Sequence, residues 1–254
     1  MIPPTRLKFS LLLSLLVCLS GYLDVRKAWA NETPFPLLPG LEGSVNFWKK
    51  IFTHYSRSEL IFYDKIDPDK IYKVVYVGKR RNVRWLMRRE RRKISRAYGV
   101  DSKSNVSAQR GAKERFAAGL ERSGKYLKQM QQIFREEGLP IGLTYLPLIE
   151  SSFNIRARSS ARAVGLWQFI RSTGRQFLRI RGGVDERKDP LESTRAAAKL
   201  LKQNYTVFGN WPLAITAYNH GREGIIRAMS QVGSNDLVEI IRNYRSRSFG
   251  YASK

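Results

Sequence analysis

A chain of 254 residues with 43% hydrophobic side chains, among them 12 Phe, 12 Tyr and 5 Trp, can build a sizeable core in one or two domains, which excludes a wholly disordered chain. Its 46 Lys and Arg against 21 Asp and Glu leave a formal charge of +25, an excess suited to nucleic acid, an anionic envelope polymer or a membrane surface. One Cys and two His exclude a structural zinc site, a disulfide scaffold and a long His relay, and no cofactor or metal is expected.

The opening, 1–30, reads as an export signal. Arg6 and Lys8 precede an apolar run over 9–19, and Ala28-Trp29-Ala30 supplies small residues at cleavage positions. The run falls short of the about 20 apolar residues that span a bilayer. An uncleaved anchor or a first core helix is the alternative. Cys18 follows bulky Val17, which argues against a lipid-attachment site, and cleavage after Ala30 would leave no Cys. The expected location is then the periplasm or cell envelope.

The stretch 31–58 carries Pro, Gly and Ser near its start and predicts an irregular lead-in. Over 59–77 β-branched and aromatic residues accumulate, and Lys73-Val74-Val75-Tyr76-Val77 before Gly78 predicts a short strand. A dense basic stretch follows over 79–96, in which Val83, Leu86, Met87 and Ile94 would share one face of a helix. Its charges fit either a solvated helix face or an electrostatic contact with an anionic polymer or lipid headgroups. The stretch lacks the recognition motif and aromatic interleaving of a sequence-specific nucleic-acid reader, so no nucleic-acid partner is expected. The region 31–110 is thus a basic N-terminal region whose fold the sequence leaves open.

From 111 onward the text is helical. Phe116, Leu120, Leu127, Met130, Ile133 and Phe134 recur at three- and four-residue intervals, and Gly138-Leu139-Pro140 stops one helix and starts another. Further helices are predicted over 191–208, 212–218, 223–231 and 237–244, making the fold class mainly α.

The chemistry concentrates after this point. Glu150 closes an apolar run, Leu143-Thr144-Tyr145-Leu146-Pro147-Leu148-Ile149, and is followed by Ser151 and Ser152. Apolar surroundings and the negative end of a helix dipole both favour a protonated carboxyl, as a general acid requires. The plainer reading is a helix-end Glu bonded to neighbouring hydroxyls or amides. Gly165-Leu166-Trp167-Gln168-Phe169 and Ala217-Tyr218-Asn219-His220-Gly221 place amides and a phenol beside aromatic rings, a combination that suits a sugar. Trp167 and Phe169 fit a core at least as well as a ligand platform.

Together, Glu150-Ser151-Ser152-Phe153, Gly165-Leu166-Trp167-Gln168 and Ala217-Tyr218-Asn219 resemble the ordered motifs of family 1 lytic transglycosylases. Gly138-Leu139-Pro140, Ser172-Thr173-Gly174-Arg175 and Asp185-Glu186-Arg187-Lys188-Asp189-Pro190 resemble the membrane-bound murein transglycosylase D branch. The likeness covers about 113–232. It implies a goose-lysozyme-like helical SLT domain over 111–254, acting on peptidoglycan glycan strands at the MurNAc–GlcNAc β-1,4 bond and leaving a 1,6-anhydroMurNAc end. It further implies Glu150 as the catalytic acid/base, Gln168 and Asn219 as sugar-binding amides, and Tyr218 as a hydroxyl bonded to the catalytic carboxyl. Ser159 aligns with a substrate-contacting serine.

A hydrolytic mechanism needs a second carboxylate, about 5–5.5 Å away for retention or 6.5–9.5 Å for inversion. Asp185, Asp189 and Glu223 are candidates, although the first two sit in a charged turn suited to ion pairing or helix capping. A muramidase on the same fold and a non-catalytic wall-binding or assembly protein are the alternative functions. Arg171 before the Ser-Thr-Gly turn and His220 after Asn219 depart from the usual pattern. The sequence also ends at Tyr251-Ala252-Ser253-Lys254 where similar proteins continue, so truncation of the helical domain is an expectation. Peripheral envelope association is the remaining partner expectation, and the oligomeric state is open.

Overall fold

A computed structural model describes residues 35–80, 82–102 and 105–244. The export signal expected at 1–30 and the chain end at 251–254 lie outside the described residues.

Contrary to the expected irregular lead-in, α1 runs from Glu42–Thr53. Pro36, Pro39 and Gly40 all lie ahead of it, and Val45, Phe47, Trp48 and Ile51 recur at helical spacing on its buried face. Glu42 in the first turn and Lys50 in the last complement the helix dipole. The expected strand is present as β2, Ile71–Tyr76, within an antiparallel sheet completed by β1, Glu59–Asp64, and β3, Val106–Arg110, in the order β2-β1-β3.

Central β1 is buried on both faces. Leu60 and Phe62 face α2, Arg84–Tyr98, and pack with its Leu86 and Ile94. Ile61 and Tyr63 face the opposite way and join Phe47, Trp48 and Ile51 of α1 in a cluster continuous with Met130, Phe134 and Trp167. The N-terminal elements and the helical region therefore share one core.

The remainder is mainly α. α3, Lys113–Ser123, and α4, Leu127–Glu136, lead through Gly138 (φ +68°) to a 3₁₀ turn, Ile141–Tyr145, and the short α5, Leu146–Glu150. A loop then reaches α6, Arg171–Gly174, a two-residue hairpin (β4, Ile180–Arg181; β5, Val184–Asp185) and a 3₁₀ turn, Glu186–Lys188. α7, Pro190–Phe208, α8, Trp211–His220, α9, Arg222–Val232, and α10, Leu237–Asn243, match the predicted helices within two residues. Their starts follow capping chemistry: Asp189 accepts from the Leu191 and Glu192 amides at 2.8 Å, and Asn210 accepts from Leu213 at 2.9 Å. Among the described residues no helix is long and apolar enough to cross a membrane.

Candidate functional site

Glu150 is the last residue of α5, 5% exposed, at a place where the chain turns sharply. The turn is closed by the Ser151 and Phe153 amides, both donating to the Pro147 carbonyl, with the Ser151 hydroxyl on the same oxygen at 3.3 Å. Ser152 (φ +53°) and Phe153 (φ +54°) are left-handed, costing roughly 1–2 kcal/mol each for residues with a side chain. Two arginines of α3 hold this conformation. Arg115 Nε donates to Ser152 Oγ at 2.7 Å, while Arg122 Nε and Nη2 both donate to the Ser152 carbonyl at 2.9 and 2.7 Å. Gly119 between them lets α3 approach, since a Cβ there would lie 3.2 Å from Leu148 and 3.3 Å from Ser152. Sequence reasoning missed both arginines, though the spacing Arg115, Gly119, Arg122 places all three on one helix face.

The loop carrying Gln168 is pinned from beneath. Gly165 (φ +81°) rests on the backbone of Arg187, so closely that a Cβ would sit 1.9 Å from the Arg187 carbonyl oxygen. The Arg187 side chain is buried, forms a two-pronged ion pair with Asp185 at 2.8 and 2.7 Å, and donates to the carbonyls of Arg162 and Phe169. Hydrogen bonding from this guanidinium holds the Asp185 carboxyl below its ordinary value. Gln168, itself at φ +51°, donates its amide protons to the carbonyls of Gly165 (2.8 Å) and Ala157 (3.3 Å), leaving the amide oxygen for a ligand's donor. Ser159 sits in the same loop, donating its backbone N–H to the Ala163 carbonyl and accepting from the Ala163 amide at Oγ, both at 3.0 Å.

Trp167 belongs to the core. It is fully buried, stacks on Phe134 at 5.7 Å and donates its indole N–H to Thr194 Oγ1 at 2.9 Å. Its backbone carbonyl accepts at 2.7 Å from the Tyr218 hydroxyl, which was expected on the catalytic carboxyl but gives its one proton here and ties α8 to the Gln168 loop. Burial first, and the Glu150 charge second, raise the Tyr218 hydroxyl well above its ordinary pKa and keep it protonated. Asn219 follows with a buried Nδ2 that has no hydrogen-bond partner among the described residues. Burial, with the Arg227 charge adding to it, lowers the pKa of the neighbouring His220 imidazole and favours its neutral form.

These pieces meet in one cleft of about 970 Å³. All five residues singled out from the sequence, Glu150, Ser159, Gln168, Tyr218 and Asn219, line it. Phe52 and Phe116, from α1 and α3, form an aromatic contact on another part of its wall, with ring centroids 5.3 Å apart. Glu223, exposed in the first turn of α9, is the other carboxylate on the lining, whereas Asp185 is held by Arg187 and Asp189 caps α7. Among the described residues no three His, Cys, Asp or Glu converge to hold a metal ion.

The cleft floor falls within residues 127–241, and this stretch matches the Transglycosylase SLT domain family. Membrane-bound lytic murein transglycosylase D of Escherichia coli (strain K12) is 34% identical to this chain over 110 residues, 42% of the chain and 24% of that protein. A protein of Alteromonas sp. (strain M-1) named for tributyltin chloride resistance is 37% identical over 113 residues, 44% of the chain and 55% of its own length. The chain thus spans less than two thirds of either relative. Arg115, Arg122, Phe52 and Phe116 lie outside the matched SLT segment, although they support or line the same cleft as Glu150.

Proposed function

We propose that this chain is a peptidoglycan lytic transglycosylase, cutting the MurNAc–GlcNAc β-1,4 bond and leaving 1,6-anhydroMurNAc ends. The observation that carries this reading is a buried Glu150 at the end of α5, sharing a cleft with Gln168, Tyr218 and Asn219 within the stretch that matches the Transglycosylase SLT domain family. Glu150 first donates its proton to the bridging glycosidic oxygen as the bond to the anomeric carbon breaks. The resulting carboxylate then takes the proton of the MurNAc 6-hydroxyl while that oxygen attacks the same anomeric carbon.

An intramolecular hydroxyl replaces an activated water and gains from its fixed proximity. Two of the other acidic candidates are committed elsewhere, Asp185 to Arg187 and Asp189 to the α7 cap, which supports a single-carboxyl scheme; Glu223 stays exposed on the cleft lining. The Gln168 amide oxygen and the unpaired Asn219 Nδ2 supply one acceptor and one donor for sugar hydroxyls or an N-acetyl group. Ser159 adds a hydroxyl on the loop side, and Tyr218, kept neutral, fixes the wall beside the carboxyl. The substrate implies that the chain works in the cell envelope, the location for which the sequence at 1–30 reads as an export signal.

Digestion of purified peptidoglycan with product masses read by mass spectrometry tests the reading. Anhydromuropeptides from the unmutated chain, and none from Glu150→Gln with an unchanged circular-dichroism melt, are expected. Reducing-end products would replace it with a muramidase. Wall binding without release would replace it with a non-catalytic binder.

A further inference from the structure

Helix α2 is not used by the cleft: none of the residues lining the cleft comes from Arg84–Tyr98. Its own surface is sharply divided. Leu86, Glu90 and Ile94 are buried, and the apolar pair packs on the sheet face made by Leu60 and Phe62. Glu90 is the one acidic residue among ten Lys and Arg over 79–96, and it is satisfied internally, bonded to Lys73 at 2.8 Å and Arg89 at 3.0 Å.

At about 100° per residue, Arg84, Arg88, Arg92, Arg96, Arg89 and Lys93 cover roughly half of the helix circumference. All six are exposed, and among the described residues Arg84, Arg88, Arg92, Lys93 and Arg96 form no ion pair. Near the middle of this arc stands Trp85, 54% exposed, with the Arg89 guanidinium 4.9 Å from its ring.

We propose that this face of α2 docks the protein on bilayers containing acidic phospholipids. Guanidinium forks match phosphate oxygens in two-pronged geometry, and five of the six cations are arginines. An exposed indole among them suits the headgroup region, where one edge of the ring is wet and the other apolar. The apolar side of α2 is already occupied by its own sheet, so the helix adsorbs through charge and one ring without inserting. The exposed arc carries no Asn or Gln to read base edges, which favours a lipid surface over nucleic acid. The other face of the sheet packs on the core that carries the cleft, so docking through α2 leaves the Glu150 site uncovered.

Vesicle flotation of the full chain tests the proposal by comparing affinity for phosphatidylcholine vesicles with and without phosphatidylglycerol. The segment 1–30 is common to all variants, so its contribution to this ratio cancels when a variant is compared with the unmutated chain. The unmutated chain should prefer acidic vesicles, with the preference falling as salt rises. The triple variant Arg88→Gln, Arg92→Gln, Arg96→Gln should lose about fivefold per cation, roughly 100-fold in all, at an unchanged melting temperature. Trp85→Ala should weaken binding without changing its salt dependence. Equal affinity for neutral vesicles, salt-insensitive binding, or a triple variant that retains its preference would overturn the proposal. So would a triple variant whose loss appears only on duplex DNA or isolated peptidoglycan.

Discussion

Replacing Arg187 with Met removes the charge beneath the Gln168 loop while keeping much of the side-chain volume. The guanidinium is 6% exposed and makes four hydrogen bonds: two to Asp185 at 2.8 and 2.7 Å, and two to the Arg162 and Phe169 carbonyls at 3.3 and 3.2 Å. Breaking a buried pair from one side costs about 3–5 kcal/mol, because the partner charge is left behind. The Asp185 side chain retains 18% exposure and can regain water, so the lower half of that range, about 3–4 kcal/mol, is expected. At about 2–4 °C per kcal/mol for a domain of this size, the melting temperature should fall by roughly 6–16 °C. Urea denaturation followed by circular dichroism gives the free energy directly, with an unchanged slope if the effect is local.

The pH dependence supplies a second check on the same pair. The Asp185 pKa is depressed in the folded chain, so its stabilisation is complete above the ordinary value of 3.8 and is lost as pH falls through the lower folded value. The deficit of Arg187→Met should therefore shrink in acid. A control at the Arg179–Glu186 pair, where the arginine is exposed, Arg179→Ala, should stay within about 1 kcal/mol. A loss under about 1 kcal/mol for Arg187→Met, or a deficit that grows in acid, would refute the reasoning.

Three further outcomes follow from the geometry. Thr194→Val strands the Trp167 indole N–H in the core and should cost about 1–3 kcal/mol in denaturant, whereas Thr194→Ser should recover most of it. Gly165→Ala forces a Cβ against the Arg187 carbonyl, so the Gln168 loop must shift; muropeptide release should fall along with stability, and activity equal to the unmutated chain would contradict the close approach. The Glu90 carboxyl, lowered chiefly by its Lys73 hydrogen bond and further by Arg89, stabilises fully above its ordinary value of 4.5 and loses this as pH falls through its lower folded value. Glu90→Gln should therefore flatten the acid limb of the stability–pH curve, and an unchanged limb would remove the pair from the account.

Helices α7 to α10 were legible because their apolar spacing and their punctuation, Asp189-Pro190, Asn210 and Gly221, agree. The five site candidates were legible through motif resemblance, and the cleft does gather them. α1 was hidden because Pro36, Pro39 and Gly40 dominated the reading of a segment whose helical face begins only at Val45. β1 and β3 were not resolved as separate strands: β1 is buried on both faces, which erases alternation, and β3 is short and polar.

The backbone of the site was the least readable part. Ser152, Phe153 and Gln168 adopt left-handed conformations that residue type does not announce, and arginines far along the chain stabilise the first of them. The bond from Tyr218 to the Trp167 carbonyl spans 51 residues and leaves no periodic trace.

The joint core of α1, β1 and the helices of 127–241 has a practical consequence. A recombinant fragment trimmed to 127–241 would strip Phe47, Trp48, Ile51 and Ile61 from Met130 and Phe134, baring an oily seam to solvent. It would also forfeit the clasp that Arg115 and Arg122 exert on the backbone after Glu150. The borders of sequence kinship here cut through the folding unit, so an excised fragment would report on a crippled molecule.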